Sequence, residues 1–118
     1  MKVTRKQNAG CEEWFAPDEL VTVLMLSVSG TGGSQLLLWS NKQQGVGLFS
    51  PNDFNITDAS LPAEWVAGID LNGNIILAPR DWLIPGFWER YHESEVSAVS
   101  TFSKWRSVLE VSAPSLRR

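Results

Sequence analysis

The sequence predicts an α+β fold: an antiparallel sheet of about four strands, made of two hairpins, with helices packed on one face. Three observations carry this. Asn72-Gly73 lies between short apolar segments, and both residues tolerate the positive φ of a tight hairpin turn. Leu36-Leu37-Leu38-Trp39 and Val46-Gly47-Leu48-Phe49 flank the polar turn Asn41–Gly45, which makes a second hairpin. Ala98, Phe102, Trp105 and Leu109 then form a helical stripe, with Val99 and Val108 beside it.

In chain order, Met1–Gly10 is polar and reads as an extended arm. Ala16-Pro17-Asp18-Glu19 has a helix-start pattern, with Pro and two acids in the first turn. The apolar run Leu20–Val28 is ambiguous in period. Its start signal assigns it to a helix, against a strand-like content of Val, Thr and Leu. Ser29–Ser34 is a glycine-rich turn, and the first hairpin follows. Ser50–Ala63 is polar, with Pro51 and Pro62, and reads as a long surface loop pinned by Phe54, Ile56 and Leu61. Trp65, Ala67, Ile69 and Leu71 alternate before Asn72-Gly73, and Asn74–Ala78 returns. Ser94 is the expected N-cap of the last helix, and Pro114 closes it.

The run from Asp81 to Glu93 organises the rest. It holds two of the six Trp, the single Tyr and the single His. Pro85 suits a helix start, and Phe87, Trp88 and Tyr91 then share one side. Such a concentration of aromatic area anchors a core or, if exposed, a partner surface.

A chain of 118 residues is expected to form one domain, 1–118, with basic tails at both ends. The single Cys excludes an internal disulfide. The polar, basic Met1–Gly10 does not resemble a signal peptide, so a cytoplasmic location is expected. The formal charge of −3 hides an asymmetry. Lys2, Arg5, Lys6, Arg117 and Arg118 occupy the tails, and residues 7–116 keep five cations against thirteen acids, a formal −8. Gln43–Pro79 contains no Lys or Arg, while Asp53, Asp58, Glu64 and Asp70 lie in it. Such a body repels nucleic acid and attracts basic proteins.

Chemistry-bearing motifs are weak. Gly30-Thr31-Gly32-Gly33 is followed by Ser34-Gln35 instead of the Gly-Lys-Ser/Thr of a phosphate loop. Asp70-Leu71-Asn72-Gly73-Asn74 begins like a calcium loop, but Ile75 stands where the sharp turn needs Gly. Cys11 and His92 are too few for a zinc site, and no thiol-enzyme motif surrounds them. Glu89 and Glu93, at i and i+4, share a helix side that suits either solvent or acid–base work. No cofactor, metal or catalytic residue is expected.

The segments Leu77–Glu89, Leu38-Trp39-Ser40-Asn41-Lys42 and Gly45–Phe49 resemble stretches of small bacterial immunity proteins of polymorphic or contact-dependent toxin systems. The resemblance spans residues 36–92. It implies a cytoplasmic, non-enzymatic inhibitor that binds a toxin domain. No family residue carries over by position, so the partner surface is read from charge and loop length: Asp53, Phe54, Asp58 and Glu64, with Glu89 and Glu93 beside them. The expected partner is a basic protein, with no nucleic acid and no membrane. Two alternatives remain open. One is a structural or phage-related assembly protein that self-associates through a strand edge. The other is a ligand-binding or enzymatic domain with a pocket near Tyr91 and His92.

Overall fold

Val21–Val28 is the strand on which the sheet is assembled. The computed structural model describes residues 1–7 and 9–111. The strands are β1 (Lys2–Arg5), β2 (Val21–Val28), β3 (Ser34–Ser40), β4 (Gly45–Phe49), β5 (Phe54–Asp58), β6 (Val66–Ile69) and β7 (Ile75–Ala78). Two 3-10 turns, Pro51–Asp53 and Arg80–Leu83, precede β5 and the helices. The helices are α1 (Phe87–His92) and α2 (Val96–Val111). The fold is α+β, and the described residues form seven strands where about four were expected.

The extra strands come from segments read as something else. Leu20–Val28 was expected to be helical. The helix-start signal there is physically real but closes a turn: Glu19 Oε1 accepts the Ala16 N–H at 2.9 Å, and Asp18 adopts φ +65°. That left-handed residue breaks the helical path, and β-branched Val21, Thr22 and Val23 continue as a strand. The N-terminal arm is also a strand. β1 pairs antiparallel with β2 through Lys2↔Thr22 and Val3↔Val21, and Val3 is fully buried. Part of the Ser50–Ala63 loop is β5, which pairs with β1 from Arg5↔Phe54 to Lys2↔Asp58.

The strand order is β4-β3-β2-β1-β5, and β7 joins β2 beside β1. One side of β2 therefore meets β3, while the other side forks. Its first residues pair with β1, and Leu26–Val28 pair with β7, which carries β6. The β2–β3 register shifts between Val23 and Met25, which makes Leu24 the bulged residue. The fork exposes a backbone carbonyl in a dry interior. Trp65 satisfies it: its indole N–H donates to the Leu24 carbonyl at 3.0 Å, and both residues are buried.

Neighbouring residues of β3 point to opposite faces. Trp39 packs against Phe102 of α2, with centroids 6.0 Å apart. Ser40 turns the other way, and its hydroxyl donates to the Trp14 carbonyl at 2.6 Å. One face is thus covered by the helices and the other by the segment Cys11–Phe15. On the helical side Trp82 stacks on Phe102 at 5.1 Å, and Trp88 meets Trp82 edge-on at 5.6 Å. On the opposite side Phe15, Phe49 and Phe54 meet edge to face at 5.3–5.9 Å. Ser94 is not the cap expected; it takes φ +61° in the turn between α1 and α2, which starts at Val96. Pro114, Arg117 and Arg118 lie outside the described residues.

Two stability outcomes follow from these contacts. Trp65→Phe keeps most of the apolar area but orphans the Leu24 carbonyl, and should cost about 1–3 kcal/mol in denaturant unfolding. Trp82→Ala empties a site that is 1% exposed and should cost about 3–5 kcal/mol in the same measurement.

Candidate protein-binding surface

The β6–β7 hairpin projects from the fork. Its register runs Val66↔Ala78, Ala67↔Leu77, Gly68↔Ile76 and Ile69↔Ile75, so Asn72-Gly73 does join two antiparallel strands. The turn differs from the two-residue type expected. Gly73 N–H donates to the Asp70 carbonyl at 3.1 Å, and Asp70 N–H donates to the Asn74 carbonyl at 3.0 Å. Gly73 has φ +81°, while Asn72 keeps a negative φ. This is a type I turn closed by a left-handed glycine bulge. The Asp70 carboxylate holds it: Oδ1 accepts the Asn72 and Asn74 N–H groups at 2.9 and 3.0 Å, and Oδ2 accepts Asn74 Nδ2 at 3.1 Å. These hydrogen bonds, led by the one from the Asn74 N–H, hold the Asp70 carboxyl below the usual aspartate range. The calcium-like start of the sequence is thus an Asx-stabilised turn.

The hairpin has one closed and one open face. Gly68 faces Leu83, and a Cβ there would lie 3.0 Å from Leu83 Cδ1. Ala67 and Ile69 point the other way with their pair partners Leu77 and Ile75. Ile69 is 75% exposed, Ile75 is exposed, and Leu71 at the tip is fully exposed. An uncovered apolar cluster of this kind marks interaction sites more often than isolated surface residues do. The alternation Trp65, Ala67, Ile69 and Leu71 therefore buries Trp65 alone.

The other anticipated residues are spread over three places. Asp53 and Asp58 bracket β5, and they are not isolated from cations as the local sequence suggests. β1 brings Lys2 into register with Asp58 and Arg5 beside Phe54. Hydrogen bonds from the Ser60 hydroxyl and N–H, with the N-terminus and Lys2 adding to them, hold the Asp58 carboxyl below its usual range. Phe54 is 3% exposed and its ring sits among Phe15 and Phe49. It belongs to the core, and the apolar anchor assigned to that loop is corrected. Glu64 is part-buried at the entry to β6, and its Oε1 is shielded without a hydrogen-bond partner among the described residues. Glu89 is exposed on α1, whereas Glu93, expected on the same helix, is its exposed C-cap just past the last helical residue. Among the described residues the ion pairs are Arg90–Glu95 and Arg106–Glu110, so Glu64, Asp70, Glu89 and Glu93 take part in neither.

Cys11 and His92 lie on opposite sides of the sheet. Cys11 belongs to the segment over Ser40, where burial, with Asp53 adding to it, pushes its thiol up. His92 is exposed on α1 and touches Trp88 and Tyr91. A polar groove of about 270 Å³ is lined by Lys2, Glu19, Thr22, Trp39, Arg106 and Glu110, and by neither Tyr91 nor His92. Its cations are engaged. Lys2 Nζ donates to Thr22 Oγ1 at 2.6 Å; Arg106 Nε donates to Glu110 at 3.0 Å and covers the Trp39 ring at 4.0 Å. Among the described residues no helix is long and apolar enough to cross a membrane, and no three His, Cys, Asp or Glu side chains converge to hold a metal.

Comparison with protein-family models, with curated proteins and with solved structures finds no match for this chain.

Asp70 makes the hairpin acid-sensitive. Its depressed carboxyl contributes stability that is present above the ordinary aspartate range and lost as pH falls through the lowered value. In thermal unfolding across that acid range, Asp70→Ala should show a smaller pH-dependent drop than the wild type.

Proposed function

We propose that this chain is an immunity-type binding protein, which neutralises a basic toxin domain in the cytoplasm by direct association through an acidic surface. The observation that carries the reading is the placement of its charges. The stretch without Lys or Arg supplies Glu64 and Asp70, and neither forms an ion pair among the described residues. They flank an apolar strand, which matches an interface with an apolar centre and a polar rim. Asp53 and Asp58 contribute less, because β1 supplies cations beside them. Glu89 on α1 and Glu93 at its C-cap offer a second acidic patch. The resemblance of residues 36–92 to immunity proteins points the same way. A non-enzymatic role fits an engaged groove, a buried Cys11 and an exposed His92.

The test is rescue. The reading requires a toxin gene beside that of this chain; co-expression of the two should restore growth, and the purified pair should associate. Growth that stays arrested in the presence of folded protein overturns the reading. Charge pairs of this kind act mainly on the association rate. Glu64→Gln with Asp70→Asn keeps shape and the Asx acceptor, and should slow association several-fold at low salt. The difference from wild type should vanish near 1 M salt, where the Debye length is about 3 Å.

A further inference from the structure

Among the described residues the outer edge of β6 is open: β6 pairs with β7 and with no other strand. The Asp70–Asn74 pair is hydrogen-bonded, and hydrogen-bonded and non-bonded pairs alternate along an antiparallel ladder. Val66 and Gly68 therefore turn their N–H and C=O groups to β7, while Ala67 and Ile69 turn theirs outward. The strand is short, four residues, but it lacks the chemical guards of an edge: Val66-Ala67-Gly68-Ile69 holds no charged side chain, no Pro and no bulge. The open apolar face of Ala67, Ile69 and Ile75 adjoins this edge, while Leu77 on the same side packs against the core.

We infer that β6 is a docking edge to which a partner protein adds an extended strand, with apolar side chains alternating with cations. This deepens the binding role proposed above and rests on it. Backbone groups of Ala67 and Ile69 supply the hydrogen bonds of an added strand, and the neighbouring apolar face receives its alternate side chains. Charge selects the occupant. Glu64 and Asp70 bracket β6, so cations near the ends of the added strand are attracted. Pairing of a second copy about Ala67 is disfavoured by the same acids. Two β6 strands paired antiparallel about Ala67 set Glu64 of each chain opposite Asp70 of the other, a like-charge pair on both sides.

The test uses the full chain and three synthetic peptides of about ten residues, long enough to span an edge strand. One alternates Lys and Val, one alternates Glu and Val, and one is the Lys/Val peptide with every backbone nitrogen methylated. Binding is followed by amide chemical shifts and hydrogen exchange. The Lys/Val peptide should slow exchange at Ala67 and Ile69, while the Val66 and Gly68 amides, already bonded to β7, change little. The Glu/Val and methylated peptides should bind at least roughly tenfold more weakly, since each lacks one of the two required features. Ala67→Pro removes one outward N–H and leaves the β6–β7 bonds intact, so it should weaken the Lys/Val peptide to a similar degree.

Equal binding of the methylated peptide overturns the inference, whatever the fate of the Ala67→Pro variant. So does Lys/Val binding mapped to another surface. Slow exchange at Ala67 and Ile69 in the free protein also overturns it: a concentration-dependent effect assigns the edge to a second copy, and a concentration-independent one to the chain's own residues beyond Val111. Rescue from the toxin with no peptide effect at β6 removes this edge while the binding role stands.

Discussion

The indole N–H of Trp65 on the Leu24 carbonyl is the contact on which the branching of the sheet depends. A strand with one neighbour on each side has no spare backbone groups. β2 has β3 on one side and, in succession, β1 and β7 on the other. Where one neighbour gives way to the next, the ladder is interrupted, and Leu24 is bulged at that point. A buried carbonyl without a donor costs a large share of one domain's net stability. Trp65 fills the gap with a ring large enough to pack and a donor able to reach. Both arms of the fork, β1–β5 and β7–β6, can then leave the same edge of β2.

The two aromatic clusters serve the two faces of that sheet. Trp82, Trp88, Tyr91 and Phe102 pack the short α1 onto α2 and set both against Trp39. A six-residue helix is too short to be stable alone, so its position is a product of this packing. On the other face Trp14, Phe15, Phe49 and Phe54 close over Leu36 and Leu38. The edge-on geometry that ring quadrupoles favour holds throughout this second cluster, while the first mixes edge-on, stacked and tilted pairs. Neither cover reaches the tip of the β6–β7 hairpin, and that is why Ile69, Leu71 and Ile75 remain in solvent.

Charge is redistributed by the same topology. Lys2 and Arg5 lie some fifty residues from Asp58 and Asp53 in sequence but on the adjacent strand in space. The basic N-terminal tail thus tempers the acids nearest to it. The acids of the hairpin, of α1 and of its C-cap form no ion pair among the described residues. An acidic chain therefore presents its attraction for cationic partners at particular places and not over its whole body.

Local sequence determined the elements whose cause is local. Asn72-Gly73 and the polar Asn41–Gly45 turn specified both hairpins, because turn chemistry and alternation act over a few residues. The stripe through Ala98, Phe102 and Leu109 specified α2, and all three are buried. Tertiary structure decided the rest. Val21–Val28 carries a helix-start signal and an apolar run without a clear period, so only pairing with β1, β3 and β7 makes it a strand. Lys2–Arg5 and Phe54–Asp58 are polar enough to read as arm and loop, and become strands because each completes the hydrogen bonds of the other. The same holds for the candidate surface. Glu64, Glu89 and Glu93 were legible as acids, but Phe54 proved to be core, and the open edge at Ala67 and Ile69 had no local signal. Which backbone groups stay unpaired is a property of the whole sheet, and no stretch of sequence records it.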